Sequence, residues 1–164
     1  MKVLLIDDHP LILTALRAVI QGVGPHITVT DVDGGVAARA VLADDADYDL
    51  VLLDLSLADC NGFDLLDELR AAYPAIPVVV VSATERTSDV IRAIDSGAMG
   101  FVPKRSSNDG LATALETVMA GGIYLPEPMM ALLSAPREPA RAAVTAQARP
   151  ITPPGKGPRP SMTR

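Results

Sequence analysis

Three uninterrupted apolar runs, at residues 3–6 (VLLI), 50–53 (LVLL) and 78–81 (VVVV), constrain this chain more than any other feature. Each has the length of a strand, and none alternates with polar residues as a strand with one wet face does. They are therefore read as strands buried on both faces. Two weaker runs, at 27–30 and 100–102, complete a set of five. Segments with helical spacing follow each of them, at 11–20, 36–43, 63–72, 89–96 and 111–120, with Gly62, Gly97, Gly100, Gly121 and Gly122 as punctuation. A strand–helix order repeated five times, with right-handed crossovers, predicts a parallel sheet between two helical layers, a three-layer α/β/α sandwich.

Charge and proline divide the chain. With 164 residues, 49% of them hydrophobic, it has the material for one domain with a proper core. Residues 1–125 carry eight basic and eighteen acidic side chains and five prolines. Residues 126–164 carry six basic and two acidic side chains and nine prolines. The first part is expected to be the folded body. The second is expected to be a basic tail with one short helix at 127–135 (EPMMALLSA) and disorder beyond it. The overall net charge of −6 has the wrong sign for a surface that coats nucleic acid or anionic lipid. The single cysteine, Cys60, excludes an internal disulfide and is read as a packed or half-exposed thiol. No apolar stretch approaches the ~18 residues needed to span a bilayer, and no targeting signal is visible, so a cytoplasmic protein is expected.

In parallel α/β sheets ligands bind beyond the carboxyl ends of the strands. There the chain places Asp7 and Asp8 after the first strand, Asp54 after the third, Ser82 after the fourth and Lys104 after the fifth. Crowded carboxylates repel one another unless a cation joins them, and a hard divalent ion such as Mg²⁺ suits such a set. Lys104 and Ser82 add a positive charge and a hydroxyl donor, so the pocket can receive an anion beside a metal. Phosphoryl transfer onto the Asp54 carboxylate fits that arrangement.

These residues resemble the receiver domain of two-component response regulators over residues 1 to about 125. The segments DDHPLI (7–12), GAMGFVPK (97–104) and AGGIYLP (120–126) resemble the NarL/LuxR-type subclass. The resemblance implies a flavodoxin-like five-stranded sheet in the order 2-1-3-4-5. It implies Asp7 and Asp8 as a Mg²⁺ site, with Mn²⁺ as a substitute, and Asp54 as phosphoacceptor. Ser56 would lend its backbone carbonyl to the metal, Lys104 would bind phosphate, Ser82 and Phe101 would form a switch, and Ala83 would leave room for the phosphoryl group. It also implies a sensor histidine kinase or phosphotransfer protein as partner, allows a homodimer, and points to a family that usually regulates transcription.

The chain departs from the pattern at Ala58, where relatives usually place proline, and at Arg105, which follows Lys104 so that a trans peptide is expected there. It also departs after residue 125, where only 39 residues follow and no amphipathic helix pair can be drawn through 150–164, so the helix-turn-helix domain is expected to be missing and no sequence-specific DNA binding is expected. His9, with no second His or Cys near it, is not read as a ligand, and Thr87 or Ser88 is expected to cap the fourth helix. Two other classes fit the residues less well. A haloacid dehalogenase-type phosphatase would show an Asp-x-Asp pattern with its nucleophile after the first strand, whereas Asp54 lies after the third and is followed by Leu55-Ser56. A phosphorylation-independent pseudo-receiver, acting only as a docking module, would normally have lost the acidic pair, the acceptor or the lysine.

Overall fold

The computed structural model describes residues 1–134. The elements run β1 (Lys2–Ile6), α1 (Pro10–Val23), β2 (Thr28–Val32), α2 (Gly35–Asp44), β3 (Leu50–Asp54), α3 (Gly62–Ala72), β4 (Val78–Ser82), α4 (Thr87–Asp95), β5 (Gly100–Pro103), α5 (Asn108–Met119) and α6 (Glu127–Ser134). All strand pairs are parallel, in the order β2-β1-β3-β4-β5. This is the expected sheet, and the three apolar runs form its centre. β3 and β4 are buried at every position, whereas β2, at one edge, is mostly open.

The period of two along each strand sorts its side chains between two cores. On one face Leu4, Ile6, Val51, Leu53, Val78 and Val80 pack against α2, α3 and α4. On the other, Val3, Leu5, Leu50, Leu52, Val79 and Val81 pack against α1 and α5. Phe101, on β5, is fully buried in the first of these cores.

Helix starts depart from the sequence reading where capping is set by the loops. α5 begins at Asn108 rather than 111, because the Ser107 side chain accepts the Gly110 N–H at 3.2 Å. α4 is capped by neither Thr87 nor Ser88: Arg86 is its N-cap and gives no side-chain bond. Thr84 organises that entry instead, its Oγ1 donating to Asp89 Oδ2 and accepting the Arg86 N–H. α3 begins at Gly62, where a Cβ would lie 2.4 Å from Leu55 Cα, so only glycine lets the helix start so close to the preceding loop. Among the described residues no peptide bond is cis, the one after Lys104 included. No helix among them is long and apolar enough to cross a membrane. The disorder expected of the tail, and its DNA-binding capacity, fall on residues 135–164, outside the described residues.

Candidate metal centre

Parallel strands that end side by side deliver their next residues to one place. Asp7 follows β1, Asp54 ends β3, and Lys104 follows β5. Asp7 and Asp54 are each only 1% exposed, a cost no carboxylate bears without compensating charge. Part of that compensation is Lys104. Its Nζ stands 2.9 Å from Asp54 Oδ2 and 3.0 Å from Asp7 Oδ2. Burial alone would lower the Lys104 pKa. The hydrogen bond to Asp54, the ion pair with Asp7 and the charges of both outweigh it, and the ammonium is held above its ordinary range.

Backbone donors fix the carboxylates. Asp54 Oδ1 accepts the Ser56 N–H at 3.0 Å, and Asp7 Oδ1 accepts the His9 N–H at 2.9 Å. Asp8 Oδ2 accepts the Ala58 N–H at 2.9 Å, fifty residues away. A proline at 58 has no N–H to give, so the departure at Ala58 replaces ring stiffness by a hydrogen bond to the acidic pair.

The donor set fits a divalent cation. Ligand atoms of Asp7, Asp8, His9 and Asp54 lie within 4.8 Å of one another. Asp7 Oδ2 and Asp8 Oδ1 are buried without a hydrogen bond of acceptable geometry, although Lys104 Nζ and His9 Nδ1 lie near them. Oxygens left in that state among three carboxylates are what a hard cation takes as ligands.

Ser82 is fully buried at the end of β4. Its carbonyl accepts the Lys104 N–H at 2.7 Å, and its Oγ accepts the Thr84 N–H at 3.2 Å. The hydroxyl hydrogen stays free to be donated. Ala83 next to it is exposed. Phe101 does not reach the pocket: it pairs with Val80 in the sheet and packs in the core.

Three participants escaped the sequence reading. His9 turns its ring into the pocket, with Nδ1 2.9 Å from Asp7 Oδ1 and 2.8 Å from Asp8 Oδ1. Its position between Asp8 and the Pro10 that opens α1 was the available signal. Asp59 caps α2 from another loop, accepting the Gly35 and Val36 N–H groups at 3.0 Å each. Those two bonds, Val36 first, hold its carboxyl below the usual carboxylate range. Arg105 pairs with both oxygens of Glu85 through Nε and Nη2, joining the loops that follow Ser82 and Lys104. Cys60 lies half-buried beside Asp59, and burial together with that charge pushes its thiol up, as suits an unreactive cysteine.

Comparison with known proteins gives a consistent set of relatives. The family described as the response regulator receiver domain matches residues 3–116. The chain is similar to the glycerol metabolism activator of Pseudomonas putida, 38% identical over 125 residues, which is 76% of this chain and 57% of that protein. It is also similar to the nitrate/nitrite response regulator protein NarL of Escherichia coli strain K12, 34% identical over 151 residues, 92% of this chain and 69% of that one. The chain thus spans little more than half of the first relative's length. Among solved structures, a LuxR family DNA-binding response regulator from Silicibacter pomeroyi superposes with a TM-score of 0.70 at 29% identity, covering 78% of this chain and 98% of that one.

Proposed function

Because the chain belongs to the response regulator receiver family, with relatives of NarL/LuxR type, we propose that it accepts a phosphoryl group from a histidine kinase or phosphotransfer protein on Asp54. The observation that carries this reading is the buried Asp54 carboxylate beside Lys104 and the acidic pair. An Asp54 oxygen attacks phosphorus, a P–O bond forms, and the bond to the donor's imidazole nitrogen breaks, that nitrogen keeping the electron pair. Asp7, Asp8, Asp54 and the Ser56 carbonyl would hold Mg²⁺, or Mn²⁺ in its place. When bound, that ion neutralises charge on the phosphoryl oxygens.

The protein's own groups do the rest. Lys104 keeps its proton and offers Nζ to a phosphoryl oxygen, at a point now shared by Asp54 and Asp7. Ser82 donates its hydroxyl, and the exposed Ala83 leaves room beside it. Drawing Ser82 inward moves the loop that Thr84 organises, and Phe101 answers through the core it shares with Val80 and Val90. The output is then exercised through protein contacts, a second copy of this chain among them, in the cytoplasm.

The pseudo-receiver reading is disfavoured because the acidic pair, the acceptor and the lysine are all present, Lys104 bonded to Asp54 and paired with Asp7, and Asp8 with ligand atoms within 4.8 Å of the other two acids. Beryllium fluoride with Mg²⁺ tests the proposal without a kinase. Amide NMR shifts are expected at residues 54–58, 82–86 and 104–107 in the wild type and not in Asp54→Ala. Shifts of equal size in both proteins would overturn it.

A further inference from the structure

Ser82 pairs with Pro103 across β4 and β5, so the loops that carry Ser82 and Lys104 onward leave the sheet side by side. Each is braced within itself. In the first, the Thr84 N–H donates to Ser82 Oγ at 3.2 Å, while Thr84 Oγ1 accepts the Arg86 N–H at 3.3 Å and donates to Asp89 of α4 at 3.1 Å. In the second, the Ser106 N–H closes a turn onto the Pro103 carbonyl at 2.9 Å. At their bases the loops are tied by the Lys104 N–H, which donates to the Ser82 carbonyl at 2.7 Å. At their tips they are tied by one ion pair: Arg105 Nε donates to Glu85 Oε1 at 2.8 Å, and Nη2 donates to Oε2. Among the described residues neither side chain has another hydrogen-bond or ion-pair partner. Of the Arg105 and Glu85 side-chain surfaces 77% and 38% are open, so the pair serves neither the core nor the acidic centre.

We propose that Glu85 and Arg105 are positioning residues, whose ion pair makes the Ser82 loop and the Lys104 loop one body, so that the Ser82 hydroxyl and the Lys104 ammonium reach a phosphoryl oxygen together. The proposal rests on the reading of Asp54 as phosphoacceptor and adds a pair of residues that never touches the phosphoryl group. A guanidinium gripping both carboxylate oxygens fixes direction as well as distance, so the two tips neither slide nor twist past one another. An inward pull on Ser82 passes through the braced residues 83–86 to Glu85, and from Glu85 to Arg105 beside Lys104. Loops already joined have less freedom to lose when the anion binds, and its affinity rises by that saving. The gain is bounded. An ion pair this exposed is screened by water and salt, so the clip tunes affinity by about fivefold at most.

The test is a double-mutant cycle on the full chain: wild type, Glu85→Ala, Arg105→Ala and the double variant, each titrated with beryllium fluoride in Mg²⁺ and followed by amide NMR. Residues that act only as a pair lose the same when either or both are removed. Each single variant and the double variant should therefore bind the anion about two- to fivefold more weakly than the wild type, by equal factors. At about 1 M NaCl, where the screening length falls to ~3 Å, the gap between wild type and variants should shrink. Single variants that bind as the wild type does, a double variant whose loss is the product of the two single losses, or a gap that salt leaves unchanged would overturn the role of the pair and leave Asp54 standing as phosphoacceptor. Failure of the wild type to bind the anion would overturn the phosphoacceptor reading and the clip together.

Discussion

Lys104 Nζ bridges two carboxylates from different strands, 2.9 Å from Asp54 and 3.0 Å from Asp7, in a site where neither acid is more than 1% exposed. One ammonium therefore neutralises part of the negative charge that the fold buries there. Removing one partner of such a buried set leaves the others uncompensated, which costs about 3–5 kcal/mol. Lys104→Met should lower the unfolding free energy by that order in the presence of a chelator. Mg²⁺ should recover part of the loss, measured by urea unfolding with and without the ion.

Ala58 gives a second prediction. Ala58→Pro removes the N–H that Asp8 Oδ2 accepts at 2.9 Å, a bond to a charged group worth about 1.5–3 kcal/mol. Proline returns only about 0.4–1 kcal/mol through the unfolded chain. The variant should be less stable by about 0.5–2.6 kcal/mol, and an equal or higher denaturation midpoint would show that the strap to Asp8 contributes little.

Asp59 makes the stability pH-dependent in a defined direction. Its folded pKa lies below the ordinary carboxylate value because Val36 and Gly35 donate to it. Its contribution is therefore fully present above that ordinary value and is lost as pH falls through the folded one. Asp59→Asn should lower the melting temperature at neutral pH, with a difference that closes on acidification below the carboxylate range. Faster amide exchange at Gly35 and Val36 in the variant would locate the effect at the start of α2.

Phe101 separates core from chemistry. It is fully buried and does not line the acidic pocket. Phe101→Ala should cost about 3–5 kcal/mol. At a temperature where the variant remains folded, its phosphorylation by acetyl phosphate should change by less than about threefold. A loss well beyond that would mean that Phe101 acts directly at Asp54.

What could be read from the chain alone was whatever depends on local pattern. The central strands were legible because burial on both faces leaves unbroken apolar runs, as at 50–53 and 78–81. The acidic centre was legible because topology alone sends the residues after β1, β3 and β5 to one edge. Contacts made at long range were not. Asp59 caps a helix 24 residues earlier, a relation with no trace in local sequence. Ala58 reaches Asp8 through its backbone, which any residue except proline could do. No second histidine marks His9 in the sequence, whereas its neighbours in space are the very aspartates that precede it. Propensity points to Thr87 or Ser88 as the cap of α4, but Thr84 Oγ1 takes the polar contacts of that turn.

The central claim concerns one carboxylate, and mass mapping addresses it directly. The full chain is treated with acetyl phosphate and Mg²⁺, and the modified residue is located after trapping the acyl phosphate. A single phosphoryl group on Asp54, absent in Asp54→Asn and absent when EDTA replaces Mg²⁺, is the predicted result. A modification that persists in Asp54→Asn, or that forms equally well in EDTA, would contradict the account.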